Sequence, residues 1–86
     1  MKIRYQKSFT EQFTRPTEIQ KQLVKDAIEI FSEDPNNDDL RNHPLKDQWV
    51  NYHSITADED LRLHYKVING ETALFVAVGN HDQLYK

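Results

Sequence analysis

The sequence predicts an α+β fold in which two N-terminal helices pack on one face of a small, mainly antiparallel four-stranded sheet. Apolar residues recur at helical spacing from Ile19 to Phe31, which indicates an amphipathic helix. Residues 61–78 alternate around an Asn-Gly pair, which is typical of a hairpin. A chain of 86 residues has room for one core, so residues 1–86 are expected to form a single domain.

The N-terminal segment is predicted to form a strand followed by a short helical turn. Lys2 to Gln6 alternates weakly, as a strand does. Ser8 or Thr10 is a candidate N-cap for a helical turn that runs through Phe13. Pro16 fits the first turn of the next helix, where its missing N–H leaves no hydrogen bond unmade.

That next helix is predicted to be longer and to carry one apolar stripe for the core. Charged and amide side chains take its opposite face, and the polar segment 33–39 ends it. The stripe consists of Ile19, Leu23, Ala27, Ile30 and Phe31.

The second half is predicted to be β-structure, with a hairpin centred on Asn69-Gly70. Both positions of a two-residue type I′ turn need positive φ, which Asn and Gly tolerate. This turn would place Ile68 opposite Glu71 and set the register of both strands. Residues 49–55 are predicted to form the preceding strand. In this register Leu61, Leu63 and Tyr65 lie opposite Val78, Val76 and Leu74 on the core face, and Arg62, His64 and Lys66 lie opposite Ala77, Phe75 and Ala73 on the other face.

Composition limits the classes of function. The chain has no cysteine, which excludes a disulfide scaffold and a thiolate zinc site. A net charge of −3 excludes a large basic surface, so an anionic partner would have to use a local patch of Lys46, Arg62, His64 and Lys66. Neither a signal peptide nor an apolar run of the ~20 residues that a membrane span needs is evident, and we expect a cytoplasmic protein.

Side chains that can move protons and bind phosphate collect in the second half of the chain. RNA can be cleaved when its own 2′-hydroxyl attacks the neighbouring phosphate, a reaction that needs a base, an acid and cations. Histidine suits the proton transfers because its usual pKa of ~6.5 lies near cellular pH, and arginine can hold two phosphate oxygens. His43, Asp60, Arg62, His81 and Tyr85 supply these groups, and no metal ion or cofactor is expected.

Four short motifs in this half resemble the RelE/ParE superfamily of bacterial toxins, and its YafQ branch in particular. The resemblance implies a RelE-like fold and a ribosome-dependent mRNA endonuclease of a type II toxin–antitoxin system. It also implies a hetero-oligomer with a cognate antitoxin, and contacts with the ribosome and mRNA. The motifs are His43-Pro44-Leu45, Trp49 with Tyr52, Asp60-Leu61-Arg62-Leu63-x-Tyr65-Lys66 and Gly79-x-His81-x-x-Leu84-Tyr85.

Carried over position by position, the resemblance implies a role for each site residue. His43 stands in the His-Pro-Leu motif, Asp60 at the active-site aspartate, His81 at the C-terminal histidine and Tyr85 at the near-terminal aromatic residue. These four form the expected catalytic set. The expected phosphate- and RNA-binding residues are Lys46, Arg62 and Lys66.

One position departs from the family pattern. The YafQ branch has a further histidine between the tyrosine and the aspartate, and Thr56 occupies that position in this sequence. His53 is three residues away and would point to the opposite face of a regular strand. Two alternatives therefore stay open: a ParE-like toxin that inhibits DNA gyrase without cleaving RNA, and an attenuated toxin that only binds its antitoxin.

Three aromatic or titratable residues are assigned to packing and not to the site. His64 is expected to pack across from Phe75, and Trp49 and Tyr52 are expected to lie in the core.

Overall fold

The sheet has five strands in the order β1-β5-β4-β3-β2, in a computed structural model that describes residues 1–85. β1 pairs with β5 in parallel, and the other pairs are antiparallel. The strands are β1 (Lys2–Tyr5), β2 (His43–Pro44), β3 (His53–Asp58), β4 (Leu61–Val67) and β5 (Thr72–Gly79). The helices are α1 (Lys7–Gln12), α2 (Glu18–Glu33) and α3 (His81–Leu84), with 3-10 turns at Asp38–Leu40 and Asp47–Trp49.

The predicted α+β architecture is confirmed, but the prediction of four strands is wrong. The additional strand is β2, which has two residues and pairs with the start of β3. A strand this short leaves no alternation in the sequence. The predicted strand at residues 49–55 is also displaced: Trp49 ends a 3-10 turn, Asn51 adopts a φ of 76°, and β3 begins only at His53.

The main core lies between the two N-terminal helices and one face of the sheet. From α2, the side chains of Val24, Ala27 and Phe31 are buried, which confirms the helical spacing. The prediction that Ile19 belongs to the buried stripe is wrong, because 76% of this residue is exposed in the first turn of the helix. The other buried members of this core include Phe9, Ile55, Leu61, Leu63, Tyr65, Ala73, Phe75 and Val78.

The two helices begin at other residues than predicted. Thr17 caps α2, since its hydroxyl accepts from the Gln20 backbone N–H while the Gln20 side chain accepts from the Thr17 N–H. Pro16 therefore precedes the cap instead of lying in the first turn. α1 begins after Gln6, and the Ser8 hydroxyl donates to the carbonyl of Val76, 2.6 Å away, instead of capping the helix.

The β4–β5 hairpin has a longer turn than predicted. Gly70 has a φ of 81°, but Asn69 does not have a positive φ, so the type I′ turn is not formed. The N–H of Ile68 donates to the carbonyl of Thr72, 2.9 Å away, which leaves residues 69–71 in the loop. Tyr65 consequently pairs with Phe75, and the predicted cross-strand partners are wrong.

A bulge in β5 then shifts the register once more. His64 pairs with Ala77 while Tyr65 pairs with Phe75, so Val76 is the extra residue. Beyond Phe75, β1 no longer pairs with the edge of β5, and side chains of α1 bind the backbone groups of β5 there instead. Besides the Ser8 bond to Val76, Gln12 Oε1 accepts from the Val78 N–H at 2.9 Å.

The opposite face of the sheet carries a second, smaller cluster. Its buried members are Val76, Ala77 and Leu84. Partly buried Trp49, Tyr52 and Leu74 pack against them, so Trp49 and Tyr52 take part in hydrophobic packing as the sequence predicts. The indole N–H of Trp49 donates to the Leu84 carbonyl, 3.0 Å away, and so fastens α3 to this face. None of the helices formed by residues 1–85 has the length and apolar character of a membrane span.

Candidate functional site

The candidate site lies on the sheet face opposite the N-terminal helices. One row of cross-strand partners crosses four strands of this face, and such partners share a face. The row runs from β2 to β5 through His43, Ser54, His64 and Ala77. In the neighbouring row, Thr56 and Gly79 flank Arg62. The sequence prediction that Arg62 and His64 share a non-core face of β4 is thus confirmed.

Asp60 and His81 are joined at one end of this face. Asp60 lies in the turn between β3 and β4, and His81 is the first residue of α3. The His81 backbone N–H donates to Asp60 Oδ1, 3.5 Å away, which is a long hydrogen bond. The contact places the exposed imidazole of His81 beside the Asp60 turn, although the carboxylate touches the backbone and not the ring.

Tyr85 connects His81 to His64. The rings of His81 and Tyr85 stack with centroids 4.7 Å apart, as residues four apart on a helix can do. The Tyr85 ring meets His64 edge-on at 5.7 Å. Tyr85 remains partly exposed at 37% of its surface, so one side of its ring can be reached from solvent.

The guanidinium of Arg62 lies over the turn that holds Asp60. Its Nη1 donates to the backbone carbonyls of Asp58 and Glu59, at 3.5 and 3.1 Å. A guanidinium has five N–H donors, and both of these bonds use the same nitrogen. Nε and Nη2 donate no hydrogen bond to any group within residues 1–85. These two nitrogens therefore keep N–H donors in the geometry that suits a phosphate.

His64 is fully buried at the centre of the site. Trp49 meets its ring edge-on at 4.4 Å, and Tyr85 covers another side. Burial, with electrostatic repulsion from His43 and Arg62 acting in the same direction, lowers the pKa of His64 from 6.5 to about 4. Neither ring nitrogen of His64 has a hydrogen-bond partner among residues 1–85, and the same holds for the buried hydroxyl of Ser54.

The remaining predicted residues differ in how close they come to this centre. His43 is exposed on the edge strand β2, and its Nδ1 lies 2.8 Å from the Arg41 carbonyl. Lys66 is on the same face, with its Nζ 5.5 Å from the centre of the Tyr52 ring. Lys46 is exposed beyond the end of β2, and its side chain makes no hydrogen bond or ion pair within residues 1–85 that would hold it at the centre.

The two residues considered for the missing family histidine lie on different faces. Thr56 pairs with Arg62 on the site face. His53 pairs with Tyr65 and stacks on its ring at 5.5 Å, on the face of the main core. His53 therefore points away from the site, as the strand alternation predicts.

Comparison with known proteins shows the fold. No family model and no curated protein matches the sequence, but several solved structures match nearly the whole chain. YafQ from E. coli strain BL21(DE3) superposes with a TM-score of 0.82 at 20% identity, covering 98% of this chain and 97% of that one. This chain has the RelE/ParE-like fold of YafQ-type toxins.

Two further neighbours support the same fold. YafQ in the E. coli DinJ–YafQ toxin–antitoxin complex gives a TM-score of 0.79 at 20% identity, over 98% of this chain and 96% of that one. A YoeB/ParE toxin from Agrobacterium tumefaciens gives 0.76 at 19% identity, over 94% of this chain and 99% of that one. At these identities the likeness establishes the YafQ-type fold, and the chemistry has to be argued from the side chains.

Within this YafQ-type fold, His64 is buried as the sequence predicts, but its predicted cross-strand partner is wrong. It was expected to pack across from Phe75, but the register shift puts Ala77 opposite it and brings Trp49 and Tyr85 over it. The alternation of Arg62, His64 and Lys66 was the available signal that the three share a face.

Proposed function

We propose that this chain is the toxin of a type II toxin–antitoxin pair and that it cleaves mRNA on the ribosome. The fold supports the toxin assignment, because the similar structures include YafQ and YoeB/ParE toxins. The observation that carries the nuclease proposal is the hydrogen bond from His81 to Asp60. It gathers an exposed imidazole, a carboxylate and the Arg62 guanidinium at one end of the sheet.

The proposed reaction is attack by the 2′-oxygen of the RNA on the adjacent phosphorus. The O2′–P bond forms while the P–O5′ bond breaks, which leaves a 2′,3′-cyclic phosphate and a 5′-hydroxyl. A base takes the proton of the 2′-hydroxyl, and an acid supplies a proton to the departing O5′. Each such positioned group is worth ~10²–10⁴ in rate.

Each side chain of the site has a role in this reaction. His81 exchanges protons at the scissile phosphate, since its imidazole is exposed and Asp60 holds its backbone in place. His43 and the Asp60 carboxylate assist the proton transfers. Arg62 binds the phosphate with its free donors, and Tyr85 stacks on a base with the open side of its ring.

Binding of RNA in this proposal depends on a small patch of positive charge. Arg62 and Lys66 lie on the site face, and Lys46 extends the patch beyond β2. Because the chain as a whole carries −3, few phosphates can be neutralised at once. Most of the orientation must then come from the ribosome that presents the mRNA.

We also propose that a cognate antitoxin binds this chain in the cytoplasm and silences it as a hetero-oligomer. The support is the E. coli DinJ–YafQ structure, in which a toxin of this fold is bound to its antitoxin. Exposed apolar residues that such a partner could cover lie on several elements: Tyr5 on β1, Ile19 on α2, Val50 before β3, and Val67 and Ile68 at the end of β4.

The test is induction of the chain in cells without its antitoxin, followed by mapping of ribosome-bound mRNA. We expect growth arrest with cleaved transcripts for the wild type, and intact transcripts for His81→Ala, whose exposed side chain is not needed for folding. Intact transcripts for both would contradict the nuclease proposal. Gyrase-linked arrest would then favour the ParE-like alternative, and a tight antitoxin complex without toxicity would favour an attenuated toxin.

A further inference from the structure

The imidazole of His64 is buried, and no polar group of residues 1–85 compensates for its burial. It has no exposed surface, and both ring nitrogens lack a hydrogen-bond partner among residues 1–85. Burying a polar group in this way destabilises a fold, whereas an apolar side chain of similar volume would be neutral or stabilising. Packing alone therefore gives no reason for a histidine at this position, and an unpartnered buried group calls for another explanation.

The surroundings of His64 are those of a site and not of the main core. It lies in one cross-strand row with His43, and Arg62 is two residues away on the same face of β4. Both are close enough to influence its protonation. The stack of His81 on Tyr85 and the edge contact of Tyr85 with His64 connect His64 to the end of the sheet where Arg62 would bind the phosphate.

Two aromatic rings lie against His64 and help to cover it. One is the Trp49 ring, which the hydrogen bond to the Leu84 carbonyl keeps in place. The other is that of Tyr85, which follows the four-residue helix α3 and is partly exposed. Rotation of the Tyr85 ring away from His64 would open one side of the imidazole without disturbing the sheet or the main core.

We propose that His64 is a second proton-transfer residue of the site, uncovered when an RNA base draws the Tyr85 ring away. This inference rests on the proposed nuclease function. Once uncovered, a ring nitrogen of His64 accepts the proton of the 2′-hydroxyl while O2′ bonds to phosphorus. His81 donates a proton to O5′ as the P–O5′ bond breaks, and His64 later returns its proton to water.

Electrostatics fit a base that becomes effective only with substrate bound. The groups that face His64 are His43 on β2, Arg62 and Lys66 on β4, and Tyr85 after α3, with Ser54, Trp49 and Ala77 uncharged. In the closed site burial and positive charge lower the His64 pKa, so the ring is neutral at pH 7 and free to accept a proton. A bound phosphate is negative, which raises the pKa of a nearby imidazole and favours proton uptake.

The experiment compares single-turnover cleavage of ribosome-bound mRNA by the wild type, His64→Leu and His53→Leu. His53 is the matched control, since it also has a buried, unpartnered ring nitrogen but lies on the other face. We expect His64→Leu to fold at least as stably as the wild type and to cleave ~10²-fold or more slowly. His53→Leu is expected to cleave within a few-fold of the wild type.

The outcomes separate this inference from the proposed function. If the wild type cleaves and His64→Leu cleaves equally fast, the role of His64 is wrong and the nuclease stands. If the wild type does not cleave, both fail. Should His64→Leu not fold, His64→Gln replaces it, because Gln is polar but cannot exchange a proton. If folded His64→Gln cleaves at the wild-type rate, the proposed role of His64 is likewise overturned.

The pH profile distinguishes proton transfer from a merely structural role. The wild-type rate is expected to rise with pH as the base loses its proton, and then to fall as the acid does. In His64→Gln the rising limb should disappear. A variant that is slower at every pH, with both limbs retained, would show that His64 only supports the structure and would overturn the inference.

Discussion

The ring of Tyr85 stacks on the imidazole of His81, with centroids 4.7 Å apart and an angle of 27° between the planes. The two residues are the first of α3 and the one that follows it, so the short helix presents them as a pair. The Asp60 bond to the His81 N–H and the Trp49 bond to the Leu84 carbonyl hold this helix at both ends. The geometry of the proposed site therefore depends on how α3 is fastened.

Removing the Tyr85 ring is expected to weaken RNA binding. Stacking of a base on an aromatic side chain contributes ~1–3 kcal/mol to binding, and we expect the binding free energy of Tyr85→Ala to be weaker by about that amount. Tyr85→Phe keeps the ring and should bind like the wild type. The measurement is the affinity for an mRNA–ribosome complex whose scissile nucleotide lacks the 2′-hydroxyl. Equal binding by the alanine variant would exclude Tyr85 as the stacking platform.

Loss of the Arg62 guanidinium should change the salt dependence of binding. If Arg62 contacts one phosphate, Arg62→Ala should reduce the slope of log K against log salt concentration by about 0.7–1. Lys25→Ala removes a charge from the exposed face of α2 and serves as the control. A slope unchanged by Arg62→Ala, or changed equally by Lys25→Ala, would mean that Arg62 touches no phosphate.

The buried His64 should make the fold less stable in acid. Its pKa is about 4 when folded, below the usual ~6.5 of the unfolded chain, so the unfolded state binds more protons between these values. Above pH ~6.5 both states hold His64 neutral and this effect is absent, and as the pH falls toward 4 protonation of the unfolded chain lowers the stability of the fold progressively. One such group contributes a slope of at most about 1.4 kcal/mol per pH unit.

Urea unfolding at several pH values checks this dependence. We expect the free energy of unfolding of the wild type to fall more steeply than that of His64→Leu between pH 6.5 and 4.5. Carboxylates titrate in both proteins, so the difference between the two curves isolates the contribution of His64 to the pH dependence of stability. Parallel curves would show that His64 is not held neutral by its surroundings.

The contact between α1 and the uncovered edge of β5 is expected to matter for stability. Gln12→Ala leaves the buried Val78 N–H without its acceptor, which costs about 1–3 kcal/mol. Gln22→Ala, on the exposed face of α2, should change stability by no more than ~0.5 kcal/mol. Thermal unfolding of the two variants measures the difference. Equal midpoints would show that water can replace Gln12.

The faces of the elements could be predicted from the sequence, because they depend on local spacing. The positions of Ala27 and Phe31 in α2, and of Leu63 and Tyr65 in β4, follow directly from helical and strand periodicity. The cap of α2 was also readable, since Thr17 and Gln20 have the spacing of a capping box. The prediction used Pro16 alone to place the first turn of α2, and so it missed this capping box.

The register of the hairpin could not be predicted in this way. It depends on a bulge at Val76, whose carbonyl bonds to Ser8, 68 residues away in sequence. The burial of His64 has the same kind of origin, since its cover comes from Trp49 and from Tyr85. Contacts between residues so far apart leave no periodic signal. The adjacency of Asp60 and His81 was inferred only from family spacing.

The central claim is that RNA is cleaved by its own 2′-hydroxyl at the site formed by Asp60, Arg62 and His81. The most direct test is cleavage of a ribosome-bound mRNA in which one deoxynucleotide replaces the ribonucleotide at the mapped cut. We predict that the natural mRNA yields a 2′,3′-cyclic phosphate and a 5′-hydroxyl, and that the substituted mRNA stays intact at that position. Cleavage of the substituted mRNA at the same rate would contradict the account.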